Sequence, residues 1–261
     1  MLNYVKLKDG WIIFRCFTSL GLLQNHVGSP AQAGQAIRAL KINIKPMKTI
    51  MSIILIMVLN PLIFAGDNTY EKAMKEAMEK LSQVASIDDF QQAANQFDRI
   101  ASVENDNWLP YYHAAYAKVM MAAMEQDVQK KDPYLDAAQL DLDAIEKLEH
   151  DASERMALEG FLMMIRMSVD PSRGMELGMD CGMIVNQAYT MNKENPRAVL
   201  VLAQFKHGSA SYMGEDTSEA CAMFDEVLEL LDQPQKKRSE KFLPYWGKEM
   251  ALMMQQQCQI E

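Results

Sequence analysis

Methionine is the residue type with the most chemical reach in this chain. It occurs 22 times in 261 residues, and Met175, Met179 and Met183 recur at four-residue spacing with Cys181 among them. Met163, Met164 and Met167 form a second group. Thioethers and thiols are soft donors that suit Cu(I), so Met175, Met179, Met183 and Cys181 are the alternative metal site of an exported copper or small-ligand carrier. Methionine is also a strong helix former and an adaptable core filler, and a Met stripe at helical spacing is how a soft helical core reads. A third arrangement, compatible with the second, is a Met-lined groove that accepts varied peptides. Core packing is the expectation for most of these side chains.

The remaining chemistry-bearing residues are sparse. Cys16 lies in an N-terminal stretch set aside below, which leaves Cys181, Cys221 and Cys258 without the close pairs that zinc sites use. In an oxidising compartment a Cys221–Cys258 disulfide would staple the last helix onto the last hairpin, with Cys181 unpaired. Around His113, His150 and His207 there is no H-E-x-x-H, no G-x-S-x-G elbow and no phosphate-cradling loop. No enzyme and no cofactor are therefore expected. The candidate binding residues are Tyr112, His113 and Tyr116 on one helix, and His207, Tyr212 and Asp216 in a segment that reads as an extended interhelical loop. Within that loop Asp216-Thr217-Ser218 also reads as an ordinary helix start. The aromatic clusters Trp108-Leu109-Pro110-Tyr111-Tyr112 and Pro244-Tyr245-Trp246-Gly247 are expected to be buried anchors between hairpins.

The elements that position these residues are helices. The apolar fraction is 49%, with only 12 Gly and 9 Pro, which is ample for a packed core and points to an all-α class. Residues 47–65, MKTIMSIILIMVLNPLIFA, have the basic start, apolar run and small final residue of a secretory signal peptide. Met47 then reads as the start, and residues 1–46 as an upstream translation artefact or a disordered leader. Up to Ala65 there are seven Lys plus Arg against one acid, so the 19 basic and 34 acidic residues that follow leave 66–261 at about −15. Such a charge repels nucleic-acid phosphates and disfavours an anionic membrane surface. No stable membrane span is expected after signal cleavage.

From Gly66 the chain divides into segments of helical period at about 69–84, 86–102, 108–125, 135–148, 153–167, 174–191, 198–206, 217–231 and 239–257. Three of them carry a small residue, a bulky one four later and another apolar one three later: Ala93, Phe97, Ile100; Ala138, Leu142, Ile145; Ala220, Phe224, Val227. That trio is the second-helix signature of tetratricopeptide repeats. Three or four hairpins and a C-terminal capping helix are expected, wound as a right-handed α-α solenoid.

Five words carry a closer resemblance: Phe97-Asp98-Arg99-Ile100-Ala101, Asp106-Asn107-Trp108-Leu109-Pro110-Tyr111-Tyr112, Asn195-Pro196-Arg197, Gly214-Glu215-Asp216-Thr217 and Pro244-Tyr245-Trp246-Gly247-Lys248-Glu249. Through them residues 66–261 resemble a family of secreted tetratricopeptide-like proteins of the Bacteroidota that has no assigned activity. The resemblance implies fold and export and brings no mechanism. A solenoid's inner face is suited to peptides, so the functional expectation is a periplasmic or secreted, non-enzymatic interaction or scaffold module with a protein or peptide partner.

Overall fold

Short polar side chains set the helix starts. The computed structural model describes residues 6–7, 10–11, 66–170, 172–232 and 241–259, and the chain divides into two units, Met1–Ile63 and Phe64–Glu261. In the first unit Lys6–Leu7 (β1) and Gly10–Trp11 (β2) pair antiparallel, with Lys6 opposite Trp11. The signal-peptide segment 47–65 and nearly all of 1–46 lie outside the described residues.

The second unit is an all-α solenoid of helices packed in successive adjacent pairs. Its described helices are α1 (Gly66–Ser82), α2 (Ile87–Val103), α3 (Trp108–Met124), α4 (Val128–Ile145), α5 (Ala152–Val169), α6 (Arg173–Met191), α7 (Pro196–Met213), α8 (Ser218–Leu231) and α9 (Lys248–Cys258). Ser86, Asn107, Asp127, Asp151 and Asn195 each accept a hydrogen bond from a first-turn backbone N–H, meeting donors that a helix start leaves without an intrahelical partner. At Ser86 the arrangement is reciprocal, because the Asp89 carboxylate accepts from Ser86 Oγ at 2.7 Å and from the Ala85 N–H at 3.2 Å.

The repeat trios of α2, α4 and α8 are all buried. A fourth trio, Cys181, Val185 and Ala188 on α6, is fully buried in the same way. Cysteine takes the small-residue place there, which is why α6 escapes a search for alanine. Opposite it, Gly160 on α5 has no room for a Cβ, which would run into Val185 Cγ1. The glycine lets α5 and α6 approach closely. Between odd-numbered helices, Arg197 of α7 donates from Nε and Nη2 to the two carboxylate oxygens of Glu154 on α5, at 2.9 and 2.6 Å, with both side chains buried. Lys118 of α3 joins α2 and α4 by reaching Asp98 at 2.8 Å and Asp141 at 2.7 Å.

Three element boundaries depart most from the sequence expectation. Pro133 lies inside α4, which begins five residues earlier at Val128 under the Asp127 cap; the cost is one forgone backbone hydrogen bond near the helix start. The His207–Ser218 segment is not an extended loop. Helix α7 runs on to Met213 through Gly208-Ser209-Ala210-Ser211 and stops at Gly214, whose φ of 70° lies in the left-handed region, with the Glu215 N–H donating to Ala210 O. Only residues 214–217 connect it to α8.

Before α9 the chain forms a non-helical strap, residues 243–247, so the last helix starts at Lys248 and not near 239. The strap and the residue before it lie on α1, α3, α5 and α7. The Phe242 ring sits edge-on to Tyr70 of α1 at 6.1 Å, and its carbonyl is 2.7 Å from His113 Nε2 on α3. These contacts hold Phe242 at a φ of 56°, a region that a bulky residue enters only when its surroundings impose it. Trp246 stacks between Tyr116 of α3 and Phe161 of α5, at 5.3 and 5.6 Å, and donates from Nε1 to the Tyr112 hydroxyl at 3.0 Å. At Gly247, φ is 114°, and a Cβ would approach Leu200 Cδ2 of α7 to 2.9 Å. Both aromatic clusters are thus anchored in the interior.

A candidate ligand groove

The face of the odd-numbered helices, on which the expected peptide surface depended, is occupied by the chain's own strap. Among the described residues an open, apolar surface lies elsewhere, on α5, α6 and α7. Helix α6 carries glycine at positions 174, 178 and 182, each followed by a methionine at 175, 179 and 183. Four-residue spacing sets the glycines on one helical face. A Cβ added at Gly174, at Gly178, or at Gly208 of α7 would meet nothing within 4 Å, whereas Gly182 is closed off by the Phe205 ring at 3.0 Å. The missing side chains leave a groove of about 730 Å³, within the ordinary range for a small-molecule site, roughly 300–1,000 Å³.

Its walls are Met164 and Met167 from α5, Met175 and Met179 from α6, and Phe205, Tyr212 and Met213 from α7. None of the lining residues is charged, in a unit of strong net negative charge. Met175 is 93% exposed, Met179 77%, Tyr212 89% and Met213 60%. Apolar side chains held in water forgo about 25 cal/mol for each Å² left unburied, and a contiguous patch of them marks an interaction surface. The core-packing expectation for the α6 methionines is therefore corrected: Met175, Met179 and Met183 face out, while Cys181, about half a turn away from both neighbours, faces in. Polar groups are few. Gln204 and Ser209 line the groove, and the buried Gln204 Oε1 has no hydrogen-bond partner among the described residues.

The structure brings together only part of the expected site. Tyr212 is on the groove wall. Tyr112, His113 and Tyr116 lie under the strap, where burial holds the His113 imidazole down at about 4 from its ordinary 6.5. His207 is buried, with its ring 6.2 Å from Phe224 of α8. Asp216 is exposed and accepts from the backbone N–H and the hydroxyl of Ser218, an N-terminal turn motif ahead of α8. The alternative metal set does not assemble. Cys181 is fully buried with its thiol toward Gly160 O at 3.7 Å, and burial pushes that thiol up to about 12, far from the thiolate a metal needs. Cys221 and Cys258 are joined, with an S–S distance of 2.04 Å, and the bond ties α8 to α9.

Gly174, Gly178, Gly208, Gln204 and Phe205 were not among the expected site residues. The available signal was the paired Gly-Met step repeating every four residues along α6. A methionine count alone hides it.

No family model matches the chain, and no curated protein matches it. Among solved structures, the HusA haemophore from Porphyromonas gingivalis superposes with a TM-score of 0.64 at 24% identity, over 73% of this chain and 93% of that one. The two share a fold. Among the described residues, no helix is long and apolar enough to cross a membrane.

Proposed function

We propose that this protein is an exported carrier that holds a flat, largely apolar ligand of the porphyrin class in the groove between α5, α6 and α7. The observation that carries the reading is the set of exposed thioethers and the Tyr212 ring around a glycine-floored, uncharged groove. Polarisable thioethers and an aromatic wall suit the faces of a conjugated macrocycle. The likeness to a haemophore supports this class of ligand, and the signal-like segment 47–65 supports export. The reading is of a binding protein and not of an enzyme, so a bound ligand is expected to be recovered chemically unchanged.

The test uses two probes, haem and iron-free protoporphyrin, titrated into the purified protein and followed by Soret absorbance and quenching of tryptophan fluorescence. Saturable 1:1 binding at low micromolar concentration is expected for at least one. Gly178→Leu fills the groove where a new side chain meets nothing, so it is expected to weaken binding at least tenfold. The folded state is expected to hold or gain up to about 1 kcal/mol, since a helical glycine whose Cβ would meet nothing within 4 Å is replaced. Absence of saturable binding by both probes, or unchanged affinity in Gly178→Leu, removes the reading.

The protein-partner alternative keeps one foothold, because a Met-lined groove also accepts apolar peptide side chains. Binding of an amphipathic helical peptide that is weakened by Gly178→Leu, with no porphyrin binding, would favour it.

A further inference from the structure

A second ligand-capable cluster lies away from the groove. His207 of α7, Cys221 of α8 and Cys258 of α9 each place a donor atom so that all three lie within 4.8 Å of one another. The two sulfurs are bonded to each other, both cysteines are half-buried, and the histidine is buried. We propose that reduction of the Cys221–Cys258 bond converts this cluster into a three-ligand site for a thiophilic divalent cation of the zinc class, with two thiolates and one imidazole nitrogen as protein ligands.

The chemistry balances with an external dithiol as reductant. The dithiol gives up two electrons and two protons and leaves as its own disulfide, and the S–S bond becomes the two thiols of Cys221 and Cys258. Binding of the cation then displaces the two thiol protons, and two thiolates with a neutral imidazole make a charge-neutral assembly around M²⁺. The geometry needs small movements only. A tetrahedral zinc with Zn–S of about 2.3 Å sets its sulfurs about 3.8 Å apart. Two unbonded sulfurs must separate by about that distance in any case, and the imidazole is already within range of both. Two soft thiolates with an imidazole select zinc-class or cuprous ions over hard, oxygen-seeking cations. A fourth position is left to water.

The disulfide joins only α8 and α9, whereas the metal joins those two to α7 through His207. The reduced protein therefore loses its staple without metal and regains a broader one with it. This proposal does not depend on the groove, and its test involves no porphyrin.

Co²⁺ is the spectroscopic probe and Zn²⁺ the competitor. The full-length mature protein is reduced by a non-chelating phosphine and titrated anaerobically at neutral pH, while far-ultraviolet circular dichroism follows the helices. Expected are one equivalent of Co²⁺ with thiolate charge-transfer absorption and the visible bands of a tetrahedral site, bleached by Zn²⁺, and none of this in the disulfide form. His207→Ala is expected to weaken Co²⁺ binding about 100-fold or more, beyond the usual loss when an outer hydrogen-bond partner is removed. Zn²⁺ is expected to raise the melting temperature of reduced wild type but not of reduced His207→Ala. If reduction releases α9, metal must bring it back. Absence of the charge-transfer band in the reduced protein overturns the proposal whether or not α9 is docked, and so does a band of equal strength in His207→Ala.

Discussion

Gly160 and His113 show how single positions hold this molecule together. A Cβ at residue 160 runs into Val185 Cγ1, so Gly160→Ala is expected to cost about 1–3 kcal/mol by overpacking, even though alanine is the better helix former. Val185→Ala in the same chain removes the obstructing methyls and is expected to return part of that loss. A double-mutant cycle by urea denaturation reads the coupling, and strict additivity would show that the two residues do not collide. His113 is buried neutral, with burial holding it at about 4 against an ordinary 6.5. The unfolded chain takes up a proton below about 6.5 and the folded chain does not until about 4. Stability is therefore lost as pH falls through that window, by roughly 3 kcal/mol over its whole width, and levels off below it. Unfolding midpoints measured between pH 7 and 4 are expected to fall more steeply for wild type than for His113→Gln; equal slopes would assign the acid sensitivity to other groups. Cys181 was legible only in part. Its lack of a close partner could be read from the sequence, but its place in the α6 trio could not, because cysteine substitutes for alanine by size.

At the scale of elements, α5 and α7 are joined by a buried pair, Glu154 with Arg197, and this contact accounts for the Asn195-Pro196-Arg197 word in the sequence. Asn195 caps α7 and donates from Nδ2 to Ser153 Oγ at 3.0 Å, Pro196 fills the first turn, and Arg197 reaches Glu154. Glu154→Ala leaves the guanidinium buried without its partner and is expected to cost about 3–5 kcal/mol. A loss below about 1 kcal/mol in chemical denaturation would mean that water reaches Arg197. Helix positions and their buried faces were largely legible, because capping residues and the small-bulky-apolar trio are local signals. The end of α7 was not. Gly208, Ser209 and Ser211 resemble loop residues in composition, yet a helix tolerates them once α6 and α8 pack alongside, and the decisive stop is the left-handed Gly214. The groove stayed hidden for the same reason: it is made by glycines from two helices and methionines from three, and their meeting is a tertiary fact.

At the scale of the whole molecule, the strap decides which surface is available. A solenoid read from its repeats alone presents its inner face, and the scaffold expectation rested on that face. Trp246, the Phe242 carbonyl and Gly247 close it from within, and the open apolar surface shifts to the groove on α5, α6 and α7. Trp246→Ala is expected to cost about 3–5 kcal/mol, since it removes two ring stacks and leaves the Tyr112 hydroxyl without its donor. Circular dichroism melts would read the loss, and an unchanged melting temperature would show the strap to be dispensable. Repeat arrays in general unfold piecemeal, because each hairpin touches only its neighbours. Here residues 242–247 bind helices drawn from the first hairpin to the last, and the His113–Phe242 contact spans 129 positions of sequence. Nearest-neighbour behaviour is thereby expected to give way to a single cooperative transition, and the early hairpins cannot close their own inner face, because the segment that covers it follows α8 in the sequence.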